Sequence, residues 1–331
     1  MWNFSLTRCA AVLAALLAGC AARAPAAGAK DPPGAHDTAH VHGHGHGALD
    51  VRRAALPFRV LRGHGGAELS EADFFAELAG ADAVCLGEHH PNPHDHWVQL
   101  MVIEHLAAAA RDGQRALGVG FEMFARPLQG VLDDFGAGKI DEAALLARTG
   151  WSERWGYDFA LYRPLLQVAV AGHHALLALN APRELAHKVG ESGLGALSAS
   201  EKQALPDLVL DDDEHRAWFK TATSGHQEPA GESFENFYAA QVVWDETMAD
   251  SAARWLAAGA AGAPRRQIAI VAGVGHCFEA AIPRRLRRRG VGKALSLQTV
   301  IDDGGSAVAD VLVAPENDYV IVLDASGAAA H

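Results

Sequence analysis

Three runs of the chain end in side chains that can carry charge, relay protons or bind metals. They are Ala83-Val84-Cys85-Leu86-Gly87-Glu88-His89-His90, Leu117-Gly118-Val119-Gly120-Phe121-Glu122-Met123 and Ile268-Ala269-Ile270-Val271-Ala272-Gly273-Val274-Gly275-His276. In open α/β sheets, ligands bind beyond the carboxyl ends of the strands. If these runs are parallel neighbours, Glu88, His89, Glu122 and His276 converge on one rim. Glycines beside the polar residues let backbone approach closely there. Two chemistries fit such a rim. Glu and His can hold a divalent cation whose bound water attacks a carbonyl or phosphoryl group, or they can orient a larger ligand without reaction. Glu122 stands between Phe121 and Met123 and needs a partner or a metal, because an unpaired buried charge is costly.

The stretch after the first run is denser still. Gly87 to His96 holds four histidines, one glutamate and one aspartate in ten residues, a composition suited to a metal or a polar ligand. Asp95 can instead cap a helix that begins near His96 and carries His94, Trp97, Met101 and His105 on one face.

The elements that must position these groups alternate along the chain. Strands are expected at 83–88, 116–123, 174–180, 267–275, 294–300 and 318–324. Helices are expected at 70–79, 94–112, 126–135, 141–149, 162–172, 182–190, 200–205, 212–222, 232–259 and 277–289. That alternation predicts an α/β fold, a mostly parallel central sheet flanked by helices. Residues 184–258 read as almost wholly helical, an inserted lid roofing the rim.

Residues 1–19 read as a lipoprotein signal peptide. The apolar run from Cys9 to Leu17 is shorter than the roughly 20 residues that span a bilayer, and Leu17-Ala18-Gly19-Cys20 has the form of a bacterial lipobox. Cys20 would then carry lipid. Ala21 after it, in place of aspartate, points to an outer-membrane anchor facing the periplasm. Residues 20–50 form a tether rich in Ala, Gly, Pro and His. Within it His42, His44 and His46 alternate with glycines and can capture transition metals or simply be solvated. The domain proper runs over 51–331. Of its cysteines only Cys85 and Cys277 remain, expected as small buried hydrophobes, with a disulfide as the alternative in an oxidising compartment. A net charge of −12 disfavours nucleic acid. The Arg284-Arg285-Leu286-Arg287-Arg288-Arg289-Gly290 run reads as a helix end complementing its dipole, or as a patch for anionic lipid.

Several motifs together carry a resemblance. Gly87-Glu88-His89-His90 with Gln99, Gly120-Phe121-Glu122-Met123-Phe124 with Gln129, Tyr162-Arg163-Pro164-Leu165-Leu166, Asn180-Ala181-Pro182, Gln241 to Ala249 and Gly273-Val274-Gly275-His276 stand in order. They resemble the ChaN-like haem-binding lipoproteins over about residues 70–300, and more remotely the TraB, TIKI and erythromycin esterase superfamily. The resemblance implies an iron- or haem-handling binding protein rather than an enzyme, with haem as cofactor, held by tyrosine in an apolar pocket between the subunits of a homodimer. The tyrosine falls at Tyr157 or Tyr162, with Trp155, His89 and His90 beside it. Tyr162 matches the more recognisable motif, whereas Tyr157 lies in a Gly-flanked aromatic loop suited to a flat ligand. No lysine among Lys139, Lys188, Lys202, Lys220 and Lys293 matches a propionate partner. The remote resemblance implies a metal-dependent hydrolase as the alternative, with Glu88, His89, Glu122 and His276 as catalytic and metal-binding residues. A third reading is a metal-ion-binding lipoprotein.

Overall fold

The computed structural model of the chain describes residues 56–113, 115–224, 232–259 and 262–324. Cys20, His42, His44 and His46 lie outside the described residues. Eight strands form one sheet: β1 (Phe58–Arg62), β2 (Glu68–Leu69), β3 (Ala83–Glu88), β4 (Ala116–Ala125), β5 (Ala175–Asn180), β6 (Arg266–Gly273), β7 (Ala294–Asp302) and β8 (Tyr319–Asp324). Their order is β2-β1-β8-β7-β3-β6-β4-β5. From β8 to β5 every pairing is parallel, and β1 joins β8 and β2 antiparallel. The sequence pattern anticipates β3 to β8. It misses β1 and β2, a short pair next to the tether, and the small helices Trp151–Arg154 and Ala307–Val313.

The central strands are apolar on both sides, as strands covered on two faces must be. Alternation sorts their side chains. Val84, Leu86, Val119, Phe121, Ala269 and Val271 pack on one face under the helices Pro93–Asp112 and Phe159–Ala171. Cys85, Ile268, Ile270 and Ala272 face the other way, against Met248, Ala249, Ala252, Ile282 and Leu286. Helix Pro93–Asp112 starts where Asn92 accepts from the His94 N–H and proline fills the first turn, so both its capping and its rigid first φ come from sequence.

After β3 the chain crosses to β4 on one side of β6, and after β6 it crosses to β7 beyond β3. Connections leaving neighbouring strands diverge between β7 and β3 and between β6 and β4, so the carboxyl ends of β3, β6 and β4 border the usual place for a ligand crevice. Register completes the convergence: Glu88 lies opposite Gly273, and Phe121 opposite Val271.

The 184–258 segment packs in two directions. The long helix Glu232–Ala257 lays its C-terminal half on the sheet through Met248, Ala249 and Ala252, while Ala239, Ala240 and Val243 pack against Leu185 and Val189. Cys85 and Cys277 are not separate thiols but a disulfide, their Cα atoms 5.2 Å apart. The adjacency of β3 and β6 brings together residues that are 192 positions apart in sequence.

Candidate functional site

Glu88 ends β3 with no exposure, and both its oxygens are engaged. One accepts from the Tyr162 hydroxyl at 2.7 Å and meets His90 Nδ1 at 2.9 Å; the other accepts from Gln99 Nε2 at 2.7 Å. His96 closes the shell, 3.0 Å from Gln99 Oε1 and 2.8 Å from the His90 carbonyl. Burial alone would raise the Glu88 pKa, but His96, His90 and the Tyr162 hydroxyl outweigh it and hold the carboxyl below its usual range.

The second half of the rim hangs on His276, carried by the one-turn helix Val274–Cys277 beyond β6. Its Nδ1 lies 2.6 Å from Asp245 Oδ1 and its Nε2 lies 3.5 Å from Glu122 Oε1. Burial opposes charge on the ring, yet Glu122 and Asp245 lift its pKa to about 10. Glu122 is reciprocally driven to about 2 in spite of burial, by His276, His90 and the Gly273 N–H that donates at 2.7 Å. Asp245 continues inward, its other oxygen 2.8 Å from His215 Nε2. Glycine at 273 is what lets the halves meet, because a Cβ there would stand 3.0 Å from His90 Cε1 and 3.6 Å from Glu122 Oε2. Gly87 serves the same end, since its Cβ would press on Leu297 O at 3.0 Å.

With Asp245 at one ring nitrogen and Glu122 facing the other, His276 favours its charged form and is held by acids on both sides. His89 turns away: Asp95 takes both its backbone N–H at 2.6 Å and its Nδ1 at 2.9 Å. That contact raises its pKa, though burial works against it. Glu88, His89, Glu122 and His276 thus do not form one coordination set, and among the described residues no three His, Cys, Asp or Glu side chains are placed to hold a metal ion. His90, not His89, enters the rim. Sequence reasoning assigned no role to Asp245, His215, His96 or Gln241. A signal existed for one of them: Asp245 and Glu246 interrupt Val242-Val243-Trp244 and Met248-Ala249 on a helix, and a carboxylate on an apolar face implies a buried partner.

Above His90 lies an aromatic ledge. The Trp155 ring meets His90 edge-on at 4.6 Å, and Tyr157 lies at 5.1 Å from His90 and 5.6 Å from Trp155. Trp151 pins the loop through its Nε1, which donates to the Tyr157 carbonyl at 2.7 Å. Gly156 turns it at a φ of 82°, in the left-handed region that glycine enters freely. The two candidate tyrosines now differ sharply. Tyr162 is fully buried and spends its hydroxyl on Glu88; burial first, then the charge of Glu88, drive its pKa far upward. Tyr157 is partly exposed, and no hydrogen bond to its hydroxyl is found among the described residues. Burial, Glu122 and Glu88 raise its pKa too.

Residues 74–286 match the family described as haem-binding uptake, Tiki superfamily, ChaN. The chain belongs to this family. Among solved structures, the ChaN family protein of Campylobacter jejuni, determined for its cofacial haem binding, is 19% identical, with a TM-score of 0.62 over 80% of this chain and 96% of that one. That likeness concerns the fold. The type III effector HopBA1 is more distant, 11% identical with a TM-score of 0.40 over 82% of this chain and 98% of that one. No curated protein matches the sequence. Membership of the ChaN family makes this a haem-binding, uptake-related protein, and haem its cofactor.

Proposed function

We propose that the chain is a haem carrier of an oxidising envelope compartment, with the Tyr157 phenolate as the iron ligand. The observation that carries this is the difference between the two tyrosines: Tyr162 is sealed under Glu88, whereas Tyr157 stands partly exposed on the ledge with Trp155 beside it. The residues fit the group. A flat aromatic ligand needs an apolar ledge, ferric iron favours an anionic oxygen, and among the described residues the phenol has no competing hydrogen-bond partner. When bound, the iron would supply positive charge that stabilises the Tyr157 phenolate against burial and the negative charges of Glu122 and Glu88. His90, whose pKa is raised by Glu88 and Glu122 against the effect of burial, packs against the rings of Trp155 and Tyr157.

Cofacial haem binding in the Campylobacter jejuni protein supports a paired arrangement here, in which the ledges of two copies of the chain meet. The buried Cys85–Cys277 bridge supports an oxidising compartment, in keeping with lipid attachment at Cys20 and an outer-membrane anchor. Haemin titration followed by absorbance and sedimentation tests this reading. Saturable binding with a tyrosinate-type ferric spectrum and haem-linked pairing is expected; unsaturable, non-specific uptake contradicts it.

A further inference from the structure

Strand β5 closes the sheet, paired with β4 on one side only. An open edge offers unpaired N–H and C=O groups to any other strand, and natural proteins manage that hazard explicitly. Here the edge is closed by a side chain. Gln129 begins the helix Gln129–Gly136 and lays its amide along β5: Nε2 donates to the Leu176 carbonyl at 2.8 Å, and Oε1 accepts from the Ala178 N–H at 2.8 Å. One primary amide thus supplies the donor and acceptor that a single residue of a parallel neighbouring strand would supply. Further along, Ser251 Oγ donates to the Leu179 carbonyl at 2.7 Å, and Arg126 Nε donates to that same oxygen of Ser251 at 2.7 Å. These side chains line a groove of about 440 Å³ along the strand.

We propose that Gln129 is a lock on a strand-pairing surface, holding the β5 edge closed against the β5 edge of a second copy of this chain. The second copy is favoured by charge. Asp133, which accepts from Gln129 Nε2 at 2.8 Å, marks the Leu176 end of the groove, and the Leu179 end is net positive, with Arg126 and Arg254 both on Asp250. Antiparallel pairing of two such edges sets the basic end of each against the acidic end of the other. It would also need the Leu176 carbonyl and the Ala178 N–H, the two groups Gln129 holds. Gln129 lies within the span that matches the family, and this contact gives it a task independent of the haem ledge.

The test uses the full chain without haemin, so that ligand-linked pairing does not enter. In Gln129→Ala at high dilution, the Ala178 amide exchanges with solvent roughly tenfold faster than in the wild type. As concentration rises, the sedimenting mass reaches twice that of the wild type under the same conditions. Adding Ala178→Pro removes the N–H that points to Gln129 at the edge and abolishes the doubling. If Gln129→Ala fails to fold, Gln129→Leu takes its place, since it keeps the bulk, loses both bonds to β5 and gives the same doubling. Wild-type mass at every concentration overturns the proposal, and so does a doubling that survives Ala178→Pro.

Discussion

At the scale of single residues, the rim is an exercise in opposed forces. Desolvation works against every charge in it, and complementary partners win at each one. His276 titrates upward beside Glu122 and Asp245, and Glu122 downward beside His276 and His90. The consequence for pH follows directly. A histidine whose folded pKa is raised to about 10 contributes stability fully present below its unfolded value of about 6.5, and loses it as pH rises toward 10. A glutamate held at about 2 contributes above its unfolded value of about 4.3, and loses it as pH falls. The thermal midpoint should therefore peak between about pH 4.5 and pH 6.5 and decline on both sides. Glu122→Gln should flatten the acid flank; an acid flank unchanged by that substitution would show that Glu122 is not the group responsible. Asp245→Ala leaves two buried histidines, His215 and His276, without their shared carboxylate, and should cost about 3–5 kcal/mol in denaturant unfolding. Tyr162→Phe removes one donor to Glu88 and should cost only about 1–2 kcal/mol.

At the scale of elements, β3 to β8 are legible in the sequence because each is a short apolar run bounded by turn residues, the clearest signal a buried strand sends. The strand-end rule then suffices to bring Glu88, Glu122 and His276 together. What the pattern does not supply is direction within a turn. His89 and His90 are adjacent, and only the backbone path after Glu88 decides that His90 enters the rim while His89 swings to Asp95. Nor does it distinguish Tyr157 from Tyr162, because the motif match favours the residue whose role is to seal Glu88. The disulfide is hidden for a related reason, since sequence separation conceals the adjacency of β3 and β6. That bridge fastens β3 to the one-turn helix carrying His276. Replacing both cysteines by alanine should lower stability by about 2–4 kcal/mol, read by urea unfolding. A double variant as stable as the wild type would show that the cross-link does not brace the rim.

At the scale of the whole molecule, the arginine run is an internal fastening. Arg285 is buried against Glu246, Arg288 and Arg289 pair with the same carboxylate, and Arg284 reaches Asp212, Glu214 and Glu279. Each acid belongs to the helices or loops of the 184–279 region, so the cations tie these elements together instead of facing a lipid surface. Among the described residues no helix is long and apolar enough to cross a membrane. The two sheet faces, the charged rim and the aromatic ledge above it thus form one supporting structure in which Tyr157 is partly exposed. The most direct test compares ferric haemin spectra of the wild type, Tyr157→Phe and Tyr162→Phe at equal protein and haemin concentrations. Loss of the tyrosinate charge-transfer band in Tyr157→Phe, with the band retained in Tyr162→Phe, is the predicted result. The band persisting in Tyr157→Phe, or vanishing only in Tyr162→Phe, would contradict the assignment of the iron ligand and the account of the ledge built on it.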